Sequence, residues 1–376
     1  MPRFLHTADW QIGRHYGQFE PDDAVPLAEA RFAAVERLAA LATEQAVDAV
    51  LVAGDVFDAQ TVSDRTVRRL FHALAGYAGP WVLIPGNHDA ALAESVWTRA
   101  ALLGAVPANV HLALQPQVLS FAERGFAVLA APLTQRHTHA DLTAWFDDAE
   151  TPPGLLRIGI AHGSVQGLLA EGIDSPNPIA ADRAARARLD YLALGDWHGT
   201  RQVDARTWYS GTPEPDRFKA NAAGQALLVE LASPGSQAQV TPLTCRQFHW
   251  RTLSQTLGVA SDVDQLLARL SEAGSGDVIE LQLQGSVDLA GHQRVQRAMG
   301  ELQARVRCLR ADLSGLRLLP TEDDIAALQA DGYLGEVIAE LRDAQQGERA
   351  GLARDALALL AGLLAERHPA TGLQRP

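Results

Sequence analysis

Short apolar runs rich in β-branched residues recur through the first part of the chain, separated in several places by stretches with helical spacing. They cover residues 3–7, 49–53, 81–84, 126–131, 156–161, 191–194, 207–210 and 226–231. Runs of this length bounded by turn residues predict strands. In residues 27–45, Val35, Leu38 and Leu41/Ala42 fall on one face of a helix. Strands alternating with helices predict an α/β domain whose sheet layers are covered by helices. Arg124-Gly125, between two apolar runs, predicts a hairpin turn and so a mixed sheet. The pattern stops near Leu231, at the turn-rich Ser233-Pro234-Gly235-Ser236.

A second pattern starts near Arg246. Residues 248–253, 278–283 and 306–309 read as strands, and residues 263–272 and 293–303 as helices, a small βαβαβ-like unit. From Thr321 onward the spacing is helical, interrupted at Asp331-Gly332 and Gln346-Gly347. The organisation expected is a first domain over residues 1–232, a small α/β domain over 245–319 and a helical segment over 320–376.

Composition narrows the class. With 47% hydrophobic and 20% charged residues the chain is globular, not disordered. No apolar run approaches the ~18–20 residues of a membrane helix, and the first residues lack the apolar core of a signal peptide. Cys245 and Cys308 are the only cysteines, which excludes a disulfide framework and points to a reducing cytoplasm. The net charge of −13 argues against holding a polyanion by bulk charge.

The informative residues follow the strands. After the first comes Asp9-Trp10-Gln11-Ile12-Gly13, and after the second Gly54-Asp55-Val56-Phe57-Asp58. Later strands end in Gly86-Asn87-His88-Asp89, His162-Gly163 and Gly195-Asp196-Trp197-His198-Gly199. Open α/β sheets gather ligands at these C-terminal ends. In extended backbone, Asp9 with Gln11, and Asp196 with His198, would share a side. Hard oxygen and borderline nitrogen donors suit a pair of divalent cations, which activate water and clamp both sides of a phosphoryl displacement. Asp55, among small and apolar neighbours, is the natural bridging ligand, and His88 is placed to protonate a departing oxygen. His72, His111, His137, His139, His249, His292 and His368 lie outside this series and read as ordinary polar residues.

This ordered series resembles that of the calcineurin-like metallophosphoesterases. His-Thr-Ala-Asp-Trp at 6–10, Gly-Asp-Val-Phe-Asp at 54–58 and Tyr-Ser-Gly-Thr-Pro-Glu at 209–214 are similar to the SbcD/Mre11 DNA-repair nuclease branch. The resemblance is specific over residues 1–220; beyond them only the order of parts matches. It implies a sheet sandwich flanked by helices, a small α/β capping domain that helps position DNA, and a helical C-terminal tail that binds an SMC-like ATPase (SbcC/Rad50). It also implies a first metal on Asp9, Gln11, Asp55 and His198, and a second on Asp55, Asn87, His162 and Asp196. His88 becomes the catalytic histidine and Asp89 the residue that orients it. A homodimer through the phosphoesterase domain is a state the family often adopts.

The family pattern carries histidine where this chain has Gln11 and Asp196. Both replacements keep an oxygen donor, and the harder, more anionic set favours Mn²⁺, with Mg²⁺ as the alternative, over Zn²⁺. Two other readings stand beside the nuclease: a phosphodiesterase for a small nucleotide, and a non-catalytic interaction subunit with a degenerate site. In the tail, Leu352, Leu357, Leu360, Leu363 and Leu364, with Ile325, Leu328, Val337, Ile338 and Leu341 before them, suit either partner docking or packing on the capping domain.

Overall fold

The computed structural model describes residues 1–167, 176–327 and 332–367. Leu328, Asp331 and His368 therefore lie outside the described residues. The chain forms two compact units, Met1–Phe248 and His249–Pro376.

The first unit opens with β1 (Arg3–Thr7), α1 (Pro21–Glu44), β2 (Ala49–Ala53), α2 (Asp64–Ala73), β3 (Trp81–Ile84), α3 (Val96–Leu102) and β4 (Val110–Leu112). It continues through β5 (Gln117–Phe121), β6 (Phe126–Ala131), β7 (Leu156–His162), the short β8 (Ser164–Val165) and β9 (Pro178–Ile179), and α4 (Arg183–Arg186). β10 (Tyr191–Gly195), β11 (Arg201–Gln202), β12 (Thr207–Tyr209), β13 (Gln225–Glu230) and β14 (Gln239–Thr244) complete it. One sheet has the order β14-β13-β1-β2-β3-β4, the other β11-β12-β10-β7-β6-β5. β1 to β4 run parallel, as do β6, β7, β10 and β12, while β13, β14, β5 and β11 pair antiparallel with their neighbours.

The period-2 pattern explains the layering. Along β2, Ala49, Leu51 and Ala53 face the second sheet, where they meet Val128, Ile158, Ile160 and Ala193. Val50 and Val52 turn the other way onto Val35 and Leu38 of α1 and Val67 and Leu70 of α2. Leu192 and Leu194 of β10 pack outward on Phe146, Ala184 and Ala187. Strands covered on both faces are apolar throughout, which is why their centres are legible as continuous runs.

Two differences from the sequence pattern have local causes. α1 begins at Pro21, six positions ahead of the expected start at residue 27, with a proline in its first turn followed by Asp22 and Asp23. Proline presets the helical φ there, and the acids favour the helix N-terminus. The turn-rich residues 233–236 lead into β14, which pairs antiparallel with β13. β14 is an exposed edge strand carrying Pro242, so it has neither an apolar run nor an uninterrupted donor pattern.

In the second unit, β15 (His249–Leu257), β16 (Asp277–Val287) and β17 (Cys308–Leu318) form a parallel three-stranded sheet. α5 (Ala260–Ser271) and α6 (Leu289–Arg305) connect them, and Val263, Leu266, Val295 and Leu302 pack on Leu253, Ile279, Leu281 and Leu283. Thr252, Ser254, Gln282 and Gln284 lie exposed on the strands, which is why the apolar signal captured only part of each strand's length. α7 (Glu322–Ala327), α8 (Tyr333–Ala344) and α9 (Ala350–Arg367) follow, with Ile325, Ile338, Leu357 and Leu364 in one cluster. Both cysteines are buried and neither is in a disulfide. Among the described residues no helix is long and apolar enough to cross a membrane.

Candidate metal centre

The C-terminal ends of β1, β2, β3, β7 and β10 deliver the predicted residues. The backbone there is not extended: Asp9, Gln11, Asp55 and Asp196 have φ of 54°, 45°, 52° and 100°. Left-handed turns at the strand ends, not the pleat, aim these side chains; aspartate tolerates that region better than most residues because its short polar side chain bonds locally. Two of these loops are zipped together by Asp9 N–H to the Gly54 carbonyl (3.0 Å), Gln11 N–H to that of Asp55 (2.9 Å) and Ile12 N–H to that of Val56 (2.9 Å). Gly54 has φ 89°, and a Cβ on it would lie 2.3 Å from His162 Nδ1. A Cβ on Gly86 would lie 2.2 Å from Asp55 Oδ1, so both glycines are set by close approach.

Asp9, Asp55 and His162 are buried, with ligand atoms within 4.8 Å of one another. The ring of His162 donates from Nδ1 to the Ala53 carbonyl at 2.8 Å. Its Nε2 faces Asn87 Oδ1 at 2.8 Å. Asp55 Oδ1 stands 3.6 Å and Asp196 Oδ1 3.8 Å from the same nitrogen. Lone pairs converging on one point repel unless a proton or a cation sits among them. Burial would lower the His162 pKa, but Asp55, Asp9 and Asp196 outweigh it and raise it to about 9. Burial pushes Asp9 up to about 6, with His198 and His162 opposing it. Among the described residues no lysine or arginine ion pair reaches Asp9 or Asp55. One nitrogen and several hard oxygens in a site with excess negative charge fit a divalent cation.

Gln11 and His198 lie beside this set but face each other. Arg14 donates to Gln11 Oε1 at 2.5 Å, so the amide turns its NH₂ to His198 Nε2 at 3.2 Å. The Gln11 oxygen is thus held away from the ligand position the resemblance implies for it. His198 Nδ1 stands 3.0 Å from Asp216 Oδ2 and 2.9 Å from Arg217 Nη2. Asp216 also takes both arms of Arg217 at 2.9 and 3.0 Å. Burial opposes ionisation of Asp216, yet His198, Arg217 and Arg31 hold its carboxyl well below the usual carboxylate range.

His88 and Asp89 part company. His88 Nδ1 donates to the Asp58 carbonyl at 2.8 Å, leaving Nε2 3.9 Å from Asp55 Oδ2. The Asp89 carboxylate instead accepts from the N–H groups of Val56 (2.9 Å), Phe57 (3.0 Å) and Gly86 (2.7 Å). Asp58 therefore orients the catalytic candidate, which corrects the expectation for Asp89. Asp89 pins two loops together because it lies where three buried donors need an acceptor.

Four residues to which the sequence pattern gives no role support the site. Arg31, buried in α1, donates to the Trp10 carbonyl (2.7 Å) and to Tyr16 Oη (2.9 Å), holding the loop after Asp9. His6 accepts from Tyr191 Oη (2.9 Å) at Nδ1 and donates from Nε2 to the Leu194 carbonyl (3.1 Å), joining the two sheets. Asp216 and Arg14 complete the group. A buried-charge signal exists for Arg31, on the apolar face of its helix; for the others distance in space alone reveals the role.

A family model for calcineurin-like phosphoesterases matches residues 2–199. The chain is 46% identical over 94 residues to the SbcD component of the nuclease SbcCD from Rhodobacter capsulatus, an alignment covering 24% of this chain and 22% of that protein. It is 28% identical to the uncharacterized metallophosphoesterase YhaO of Bacillus subtilis, covering 53% of this chain and 49% of that one. It is also 28% identical to the DNA double-strand break repair protein Mre11 of Aeropyrum pernix, covering 62% and 58%. The chain thus spans from about a fifth to somewhat over half the length of these curated relatives.

Proposed function

The chain belongs to the calcineurin-like phosphoesterases, and from that membership we propose that it is a divalent-metal-dependent DNA nuclease, the catalytic subunit of an SbcCD-like or Mre11–Rad50-like assembly. The observation that carries the metal-dependent reading is the convergence of Asn87, Asp55 and Asp196 oxygens on His162 Nε2. These four residues, with Asp9 beside them, would hold the cation. Oxygen-rich coordination favours Mn²⁺, with Mg²⁺ as the alternative. When bound, such an ion polarises a phosphoryl oxygen and makes water a stronger acid.

His88 supplies proton chemistry. With Nδ1 committed to Asp58, Nε2 faces the centre from a half-exposed position and can protonate the leaving oxygen. Beside the Asp196–His198 turn, cations gather despite the acidic composition. Trp197 lies under Arg201, 5.2 Å from its ring centroid, and Lys219, at 4.7 Å, while Arg217 is exposed beside Asp216. A rim of this kind receives phosphates and offers an aromatic face to a base.

Within this reading, residues 1–232 are the nuclease domain, 245–319 the capping domain that positions DNA, and 320–376 the partner-docking segment of a cytoplasmic protein. Exposure in α9 supports docking: Leu352, Leu359 and Leu363 are 68%, 70% and 61% exposed. Their spacing sets them on one face, apart from the buried Leu357 and Leu364. The partner is an SMC-like ATPase of the SbcC/Rad50 kind.

The test is hydrolysis of single- and double-stranded DNA by the full chain with Mn²⁺, beside cyclic dinucleotides. Asp55→Asn and His88→Gln are expected to lower DNA turnover by ~10²–10⁴-fold. Turnover of cyclic dinucleotides without DNA cleavage would establish the small-nucleotide reading instead. Absence of hydrolysis on every substrate with metal bound would establish a non-catalytic role.

A further inference from the structure

Resting on the phosphodiesterase reading above, we infer that this centre holds one divalent cation per chain, and that a Gln11–Arg14–His198 arrangement occupies the place of a second. The two halves of the donor cluster differ in how their lone pairs are committed. On the His162 side, Asn87 Oδ1, Asp55 Oδ1 and Asp196 Oδ1 lie 2.8 to 3.8 Å from Nε2, and Asp55 Oδ1 also accepts from the His88 N–H at 2.9 Å. Only a cation or an added proton relieves that arrangement.

On the other side the lone pairs are spent. Arg14 Nη1 lies 2.5 Å from Gln11 Oε1. This contact decides the orientation of the amide, because exchanging its O and N would set two N–H donors against each other. The NH₂ so oriented faces His198 Nε2 at 3.2 Å, and His198 Nδ1 is already engaged by Asp216 at 3.0 Å and Arg217 at 2.9 Å. Both side chains that would cap a second ion are therefore bonded to each other, and the carboxylates of Asp9 and Asp55 alone remain. The guanidinium brings its own positive charge. Arg14 Nη1 is 3.4 Å from both Asp58 Oδ1 and Asp216 Oδ2, and its side chain is 23% exposed at the lip of the site. A planar, permanently charged group in this position suits a phosphate oxygen as a metal ion does.

The experiment is Mn²⁺ titration of the chelator-stripped full chain, with bound metal counted after equilibrium dialysis and the electron paramagnetic resonance spectrum recorded. The wild type is expected to bind one Mn²⁺ per chain and to show the hyperfine pattern of an isolated ion. Arg14→Ala frees the Gln11 oxygen, and Gln11→His replaces the amide with a ligand. Each is expected to tighten a second equivalent by at least ~10-fold and to introduce exchange coupling between two ions. A wild type that binds two coupled ions overturns the one-ion inference and leaves the phosphodiesterase reading standing. Failure of both variants to gain the second ion, with circular dichroism showing them folded, overturns the role of Arg14. A wild type that binds none overturns both readings.

Discussion

His6 stands in the first motif, but its work is structural. It is fully buried, and burial lowers its pKa to about 3, with the Leu194 carbonyl opposing. The unfolded chain protonates histidine near 6.5. The stability that the neutral ring contributes is therefore complete above pH 6.5 and is lost as pH falls toward 3. Between pH 7 and pH 5 the wild type should lose about 2 kcal/mol more than His6→Gln, read from urea midpoints at the two pH values. Equal losses would show that His6 does not remain neutral in the fold. Asp89 makes a second prediction. Its removal as Asp89→Ala strands three buried N–H donors and should cost about 3 kcal/mol or more, with Asp89→Asn recovering part; chemical denaturation measures both. The identity of Asp89 as a site residue was readable from Gly-Asn-His-Asp, but its partners were not, because Val56 and Phe57 lie some thirty positions back along the chain.

At the scale of elements, the strand ends and the glycines that shape them carry the chemistry. Gly86→Ala drives a methyl group into Asp55 Oδ1 and His162. Mn²⁺ affinity should fall by ~10–100-fold in isothermal titration while the far-ultraviolet dichroism stays native. Unchanged affinity would mean that the Asp55 carboxylate is not at the metal. How legible an element was followed from its burial. β2, β3, β6 and β10 are covered on both faces and stood out as apolar runs. β15 to β17 carry exposed polar residues and were seen short. β14 is exposed with a proline inside it and was missed. The tail helices are visible as helices by spacing, but the division of their leucines between Leu357 and Leu364 inside and Leu352, Leu359 and Leu363 outside needed the fold.

For the whole molecule, the −13 charge takes on a different meaning once the acids are located. Asp9, Asp55 and Asp196 cluster where a cation is needed, and residues 321–376 carry ten acidic side chains against five basic ones. The metal-free chain should therefore bind DNA no more tightly than ~1 µM at physiological salt, and metal should strengthen the complex; fluorescence anisotropy across a salt series reads both. Tight, steeply salt-dependent binding without metal would refute this. The fold class and the order of donors at strand ends are written in the residue pattern, because a parallel α/β sheet sends its strand C-termini to one edge whatever the loops do. What each donor faces is set by folding. Gln11 offers an oxygen in composition and an NH₂ in space, since Arg14 claims the oxygen, and His88 is set by Asp58 rather than by its neighbour Asp89. Hydrogen bonds act over about three ångströms, so partners far apart in the chain become known only when the chain is folded.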